Sequence, residues 1–284
     1  MTFEYIKSER FGAVLVITLD DPPTRNALGN HMGRELTAEL ASFESDDSLR
    51  ALVITGRDPA FCSGANLKEL GQRAQKRVEK RAQDAGYASP WVRMETRKTS
   101  IATDTDSDSL RYLPSRVYNL QKPTIAAVNG YAMGVGMGIA LSCDIRIASE
   151  EARMAEAFIK TGLVPGDGSC WQLPRLIGLG NTLLLQYTGD VIDAHECYRL
   201  GLVNRLVPHK DLMSVTMDLA QRLAQGPTYS MGLIKWLVHK SSTSSLEESL
   251  AQAGTALKFA MDTEDYKEGV RAFVEKRKPD FKGK

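Results

Sequence analysis

The stretch that most narrows what this chain can fold into runs from Thr124 to Gly138. Five apolar or β-branched residues, Thr124-Ile125-Ala126-Ala127-Val128, lead through Asn129 into four glycines in nine positions, Gly130, Gly134, Gly136 and Gly138. The apolar run reads as a buried strand of the parallel-sheet kind. The glycines strip side chains from a turn that enters a helix, so that bare backbone can approach a ligand closely. Free N–H groups at the start of such a helix, reinforced by its dipole, suit a negatively charged oxygen. The spacing G-x-G-x-G is not the dinucleotide fingerprint G-x-G-x-x-G, and no G-x-x-x-x-G-K-[ST] occurs in the chain, which weakens nucleotide phosphate as the anion. The competing reading is a glycine-rich helix packed tightly on its neighbours.

Bulk properties exclude several classes of partner. Lysine and arginine number 36 against 35 aspartates and glutamates, so a net charge of +1 gives no electrostatic argument for nucleic acid or an anionic membrane. Cys62, Cys143, Cys170 and Cys197 are scattered, with no C-x-x-C and no clustering with the four histidines, so no metal is expected and reduced thiols in a cytoplasmic setting are the default. The N-terminus lacks a basic stretch followed by an apolar run, and no apolar segment approaches membrane-spanning length. With 284 residues, 43% of them hydrophobic, the chain can bury a sizeable core in one large domain, alone or with an appendage.

Along the chain, strands and helices alternate. A hairpin is expected from Phe3 to Ser8 and Ala13 to Leu19, a helix from about His31 to Phe43, and strands at Ala51 to Gly56, Thr124 to Val128, Asp144 to Ala148, Arg153 to Ala155 and Val203 to Val207. From Leu67 a charged helix to about Ala85 is predicted, then a polar loop (Thr99 to Ser109) and a short helix from Leu110 to Leu120. Beyond Gly168 the pattern is mainly helical: Ser169 to Leu176, Asn181 to Tyr187, Ala194 to Leu200, Leu212 to Ala224, Met231 to His239, Leu246 to Met261 and Glu264 to Lys276. The apolar face Leu246/Leu250/Ala253/Leu257 needs a partner, either the core or another subunit. The basic tail around Lys278 and Lys282 reads as a solvated end.

Two segments together resemble one family. Phe61-Cys62-Ser63-Gly64-Ala65-Asn66-Leu67-Lys68-Glu69-Leu70 is similar to the F-x-x-G-A-D-[IL]-K-E-[ML] segment of the enoyl-CoA hydratase/isomerase, or crotonase, superfamily. Lys122 to Gly134 resembles its K-P-x-I-A-A-[IV]-N-G-x-A-x-G-G-G segment, and Cys143 to Ala148, Gly162 to Gly166, Leu173 to Gly178 and Ala194 to Asn204 follow in the family's order. The match leaves out about Gln72 to Ser115. The resemblance implies an α/β fold, a crotonase-like spiral of repeated ββα units with a C-terminal helical region that forms trimers, commonly paired into hexamers. On that template residues 1–208 form the spiral core, with an extended charged insertion at about 72–115, and residues 209–284 form the helical region that closes the site and makes the oligomer.

The same resemblance implies an acyl-CoA substrate, coenzyme A entering as part of it and no bound cofactor. It places the two backbone N–H donors of the thioester oxyanion hole at Ala65 and Val135, Arg25, Ala27, Asn66 and Leu67 along the coenzyme A path, and Gly134 in the turn beside the hole. Lys278 and Lys282 could reach coenzyme A phosphates of a neighbouring subunit, while Phe158, Trp171 and Met137 line an acyl pocket or simply pack in the core.

Where the family's hydratases carry two catalytic glutamates, this chain carries Gly138 and Phe158, neither of which transfers a proton. The acid left in a suggestive place is Asp167, in Pro165-Gly166-Asp167-Gly168, a setting like that of 4-chlorobenzoyl-CoA dehalogenases and of some enoyl-CoA isomerases. One carboxylate suffices to isomerise a double bond, and the alternative for Asp167 is to cap the helix that begins near Gly168. Glu156 reads as a surface or loop carboxylate, and His195-Glu196 and Cys62-Ser63 as non-catalytic. The sequence therefore points to an isomerase or atypical hydratase using Asp167, with thioester hydrolysis or dehalogenase-like displacement by Asp167, or coenzyme A binding without catalysis, as alternatives.

Overall fold

Continuous apolar strands bury both faces, and here they do so between two layers of helix. The computed structural model describes residues 3–66, 69, 71 and 112–284. A hairpin of β1 (Ile6–Phe11) and β2 (Val14–Leu19) opens the chain. Three strand pairs follow: β3 (Ala51–Gly56) with β4 (Ala60–Cys62), β5 (Thr124–Val128) with β6 (Tyr131–Met133), and β7 (Ile145–Ser149) with β8 (Arg153–Ala155). The first member of each pair extends the hairpin into a six-stranded sheet, which β10 (Arg205–Val207) completes. The second members pair with one another in a four-stranded sheet ended by β9 (Ile192–Asp193). Helix α1 (Asn30–Ser45) follows β2, α2 (Leu113–Asn119) precedes β5, α3 (Val135–Ser142) follows β6, and α4 (Ser169–Thr188) follows β8 after a 3-10 turn at Ala157–Thr161. This strand-strand-helix repeat is the spiral that the motifs imply.

Side-chain alternation divides the core. Val16, Val53 and Ile125 stand in register across β2, β3 and β5 and pack beneath α6 (Leu212–Ala224) through Leu212, Leu219, Ala220 and Ala224. One position along, Ile17, Ile54 and Ala126 face the opposite way, toward Leu36, Leu40 and Phe43 of α1 and Met137 of α3. Fully burying a side chain of this size contributes about 1.5–3 kcal/mol. The buried Arg146 of β7 ties the layers together: its guanidinium donates to the carbonyls of Leu202 at 2.6 Å and Cys143 at 2.7 Å.

The strands β4, β6 and β9 have two or three residues each, too short for a period to show in the sequence. The first strand lies three residues later than the alternation suggests. The helices expected at 169–176 and 181–187 form one run broken at Gly178, whose φ of +76° is left-handed. Of the helix expected from 67 to about 85 only residues 69 and 71, both helical, are described, and the loop at 99–109 lies outside the described residues.

At the C-terminal end α5 (Ala194–Leu200) and α6 are followed by α7 (Thr228–Ser241), α8 (Leu246–Met261) and α9 (Glu264–Val274). Leu246, Leu250 and Leu257 of α8 are all at least 60% exposed, so the chain's own core does not cover that face. The charged side chains of the tail are exposed, as expected of a solvated end, but its backbone is fastened. Its backbone N–H groups at Lys282 and Gly283 donate to the buried Asp265 carboxylate at 2.6 and 2.8 Å, that of Asp280 donates to Glu268 at 2.9 Å, and Arg50 donates to the Phe281 carbonyl at 2.9 Å. Buried carboxylates with fixed backbone donors hold a chain end that charge alone would release.

Arg146→Leu leaves the Leu202 and Cys143 carbonyls without their donor, and a loss of about 2–4 kcal/mol in unfolding free energy is expected from urea titration.

Candidate active site

The glycine turn has more than one purpose. Gly134 takes φ +50° at the entry to α3, and the first intrahelical bond runs from Gly138 N–H to the Gly134 carbonyl at 3.0 Å. The N–H groups of Val135, Gly136 and Met137 therefore precede the helix's own hydrogen bonding and form its positive end. A Cβ on Gly136 would collide with the Cys62 carbonyl and lie 2.7 Å from the Cys62 Cβ, so that glycine serves close packing of β4 on α3. The close-packing reading is met at Gly136, and the turn at Gly134 leaves free N–H groups of the kind the anion reading requires.

The Phe61 to Asn66 segment is held against this turn. Leu28 N–H donates to the Gly64 carbonyl at 2.7 Å, and Asn66 N–H donates to the Leu28 carbonyl at 3.0 Å. The two bonds flank Ala65, whose own N–H is left on the other side of the segment. Behind Gly64 a Cβ would lie 3.0 Å from the Met133 carbonyl oxygen, which brings the Ala65 segment next to the residues that enter α3. The loop carrying Arg25 and Ala27 is fixed from below by the buried Asn26, whose amide donates to the Ala60 carbonyl at 2.7 Å, and by Ser63 N–H donating to the Arg25 carbonyl. Arg25 reaches over the Tyr131 ring, 5.9 Å from its centre. The segments that carry Arg25, Ala27, Ala65 and Asn66 are thus held together beside the turn of Gly134 and Val135; Leu67 lies outside the described residues. Glu69 of the same motif accepts from Asn30 N–H at 3.1 Å and so caps α1.

Asp167 enters from the far side. It is 3% exposed, and a Cβ on Gly138 would stand 2.5 Å from its Oδ2. The carboxyl therefore fills the space that any side chain at position 138 would need. Oδ1 accepts from the Ser169 N–H at 3.1 Å and from the Ser169 hydroxyl at 2.8 Å, which ties the start of α4. Oδ2 is buried and has no hydrogen-bond partner among the described residues. One oxygen of Asp167 thus serves the helix end, as the capping reading expects, and the other carries no hydrogen bond among the described residues. Burial raises its pKa, with the Ser169 bonds acting against that.

Glu156 corrects the sequence reading. It is no surface carboxylate but 1% exposed at the end of β8, its Oε2 within hydrogen-bond distance of the Ser169 hydroxyl at 2.9 Å and its Oε1 without a partner among the described residues. Burial first and the Asp167 charge second push its pKa up to about 9. The sequence spacing gave no sign of this, because a residue two positions from Phe158 meets Asp167 only through the turn of the chain between β8 and α4.

Phe158 packs its ring against Gly134, 3.4 Å from where a Cβ would stand. Trp171 is 42% exposed, with its edge on Tyr118 and the Arg175 guanidinium 4.0 Å over its ring. Met137 is wholly buried in the core. Lys278 sits in the tail, its carbonyl accepting from Arg277 at 3.0 Å. Cys62 is buried with its thiol pushed up to about 11 by desolvation, and Ser63 donates to the Thr24 carbonyl, so both are structural. Among the described residues no group of three or more His, Cys, Asp or Glu could hold a metal ion, and no helix is long and apolar enough to cross a membrane.

A family model described as enoyl-CoA hydratase/isomerase matches residues 9–103 and 92–284. The chain is 34% identical over 281 residues to a probable enoyl-CoA hydratase of Mycobacterium tuberculosis, covering 99% of each chain. It is 32% identical over 284 residues to the 1,2-epoxyphenylacetyl-CoA isomerase of Escherichia coli, again with 99% coverage of both. Among solved structures, an enoyl-CoA hydratase from Geobacillus kaustophilus superposes with a TM-score of 0.82 at 35% identity, over 99% of each chain.

A carboxyl whose pKa is raised by folding binds its proton more tightly in the folded state, so its contribution to stability declines as pH rises. For Glu156 the decline runs from the unfolded value of 4.5 to about 9. Thermal unfolding across that window is expected to show Glu156→Gln losing less stability toward high pH than the unsubstituted protein.

Proposed function

Because the chain belongs to the enoyl-CoA hydratase/isomerase family, we propose that its site acts on an unsaturated acyl-CoA thioester as a double-bond isomerase, with Asp167 moving the proton. The thioester oxygen is held by the N–H groups of Ala65 and Val135. As negative charge develops there, preorganised donors at a helix start stabilise it, each by a few kcal/mol. The Asp167 Oδ2 takes a proton from one carbon of the allylic system, the pair of electrons passes into a dienolate, and the same oxygen returns the proton two carbons along. Nothing is gained or lost overall, so one carboxyl is enough.

The observation that carries this reading is the buried, unpartnered Asp167 Oδ2 in the space opened by Gly138. The name of the Escherichia coli relative, an isomerase of an epoxy acyl-CoA, agrees with isomerisation as the reaction class. Arg25, Ala27, Asn66 and Leu67 line the coenzyme A path, Lys278 of an adjacent subunit meets its phosphates, and Phe158 with Trp171 bounds the acyl end. The uncovered apolar face of α8 supports a trimer or hexamer in which residues 209–284 form the contacts. Coenzyme A enters as part of the substrate, and the proposed chemistry uses no other cofactor. Hydration is the second reading, favoured by Glu156, a second buried carboxyl beside Asp167 that water addition could use.

Mass spectrometry of enoyl-CoA and aroyl-CoA thioesters after incubation separates the classes. An isomer of unchanged mass is expected; a gain of water indicates hydration, and released coenzyme A indicates hydrolysis or displacement. Asp167→Asn should lower kcat by about 10²–10⁴-fold with KM little changed. Undiminished turnover in that variant contradicts the assignment.

A further inference from the structure

The hydroxyl of Ser169 lies within hydrogen-bond distance of two carboxyls, at 2.8 Å from Asp167 Oδ1 and 2.9 Å from Glu156 Oε2. A hydroxyl has one proton to give. If it donates to one carboxyl, the other makes a hydrogen bond only by donating to the hydroxyl oxygen, which requires that carboxyl to be protonated. The backbone decides which. Ser169 N–H also donates to Asp167 Oδ1, so two donors converge on Asp167 while Glu156 has one bridging contact. Negative charge is better solvated on Asp167, and the proton belongs on Glu156. Two ionised carboxylates joined through one small group in a buried site would repel each other strongly.

We propose that Glu156 and Asp167 operate as a one-proton pair joined through the Ser169 hydroxyl, with Glu156 as the neutral positioning residue that orients Asp167 and fixes its charge. This rests on the reading of Asp167 as the base. The hydrogen-bond chain runs from the Glu156 carboxyl to Ser169 Oγ and from the Ser169 hydroxyl to Asp167 Oδ1, leaving Asp167 Oδ2 as the free acceptor over Gly138. Ionisation of Glu156 removes the first donor and puts a second negative charge beside the developing enolate, which opposes proton abstraction. Among the described residues the surrounding titratable groups are few. Helix α3 contributes none, α4 contributes the exposed Cys170, and the exposed Lys160 and Asp190 form an ion pair at 4.0 Å.

The test is the pH profile of kcat/KM for an enoyl-CoA thioester in the unsubstituted protein, Glu156→Gln, Glu156→Ala and Cys170→Ser, together with infrared spectra of the protein without substrate. The unsubstituted protein should lose activity on the alkaline side near the point where Glu156 ionises, about pH 9. Glu156→Gln, which keeps a neutral donor, should no longer show that decline. Glu156→Ala should fall about tenfold or more below Glu156→Gln at neutral pH, and Cys170→Ser should keep the decline. At neutral pH the infrared spectrum should contain a protonated-carboxyl band that Glu156→Gln lacks. The pair is overturned if folded Glu156→Gln retains the alkaline decline, if Cys170→Ser abolishes it, or if the band is absent. Undiminished turnover in Asp167→Asn would defeat the functional reading, whereas the infrared band reports on the pair independently of turnover.

Discussion

Two groups cannot share one volume, and the site depends on that exclusion at a single point. The Asp167 carboxyl lies where a side chain at position 138 would lie. Only glycine at 138 lets a residue from the loop before α4 reach over the N-terminal turn of α3, where the helix's free N–H groups begin. The acid arrives from a different segment than in the hydratases whose pattern the chain resembles, yet it comes to the same helix. Ser169 then secures it: one oxygen of Asp167 is consumed at the helix end, so the carboxyl cannot rotate freely and its second oxygen keeps one direction.

The remainder of the architecture supplies fixed walls for this arrangement. The parallel strands β2, β3, β5 and β7 bury both faces, so the turns at their ends are held by packing rather than by local propensity. The Ala65 segment is fastened through Leu28, and α3 is fastened to α4 by Gln172 donating to Ser142 at 2.8 Å and Ser142 donating to the Gly138 carbonyl at 2.7 Å. The proposed oxyanion donors and base therefore sit on elements that are braced against each other, which is what preorganised electrostatic stabilisation needs.

Much of this was legible in the residues. Runs such as Ala51 to Gly56 and Thr124 to Val128 declare buried strands, because continuous apolar sequence of strand length fits a sheet covered on both sides. The glycine turn declares itself by composition, and with no carboxyl at 138 or 158 the sequence leaves Asp167 as the acid nearest the Gly162 to Gly166 motif. Glu156 was not legible. Its burial arises from a contact between the end of β8 and the start of α4, thirteen residues on at Ser169, with no periodicity to announce it. The fastened tail was hidden for a related reason: Asp265 and Glu268 look like ordinary polar positions of an amphipathic helix until the chain returns over them.

The central claim is that Gly138 and Asp167 act as one unit, and a double-mutant cycle on kcat/KM addresses it most directly. Gly138→Ala, Asp167→Asn and the double variant would be compared with the unsubstituted enzyme. If the glycine matters because it makes room for the carboxyl, the double variant should be no worse than Asp167→Asn alone, since displacing a carboxamide that cannot act as base removes nothing further. Losses that multiply in the double variant would show that Gly138 serves some other purpose and would contradict the account.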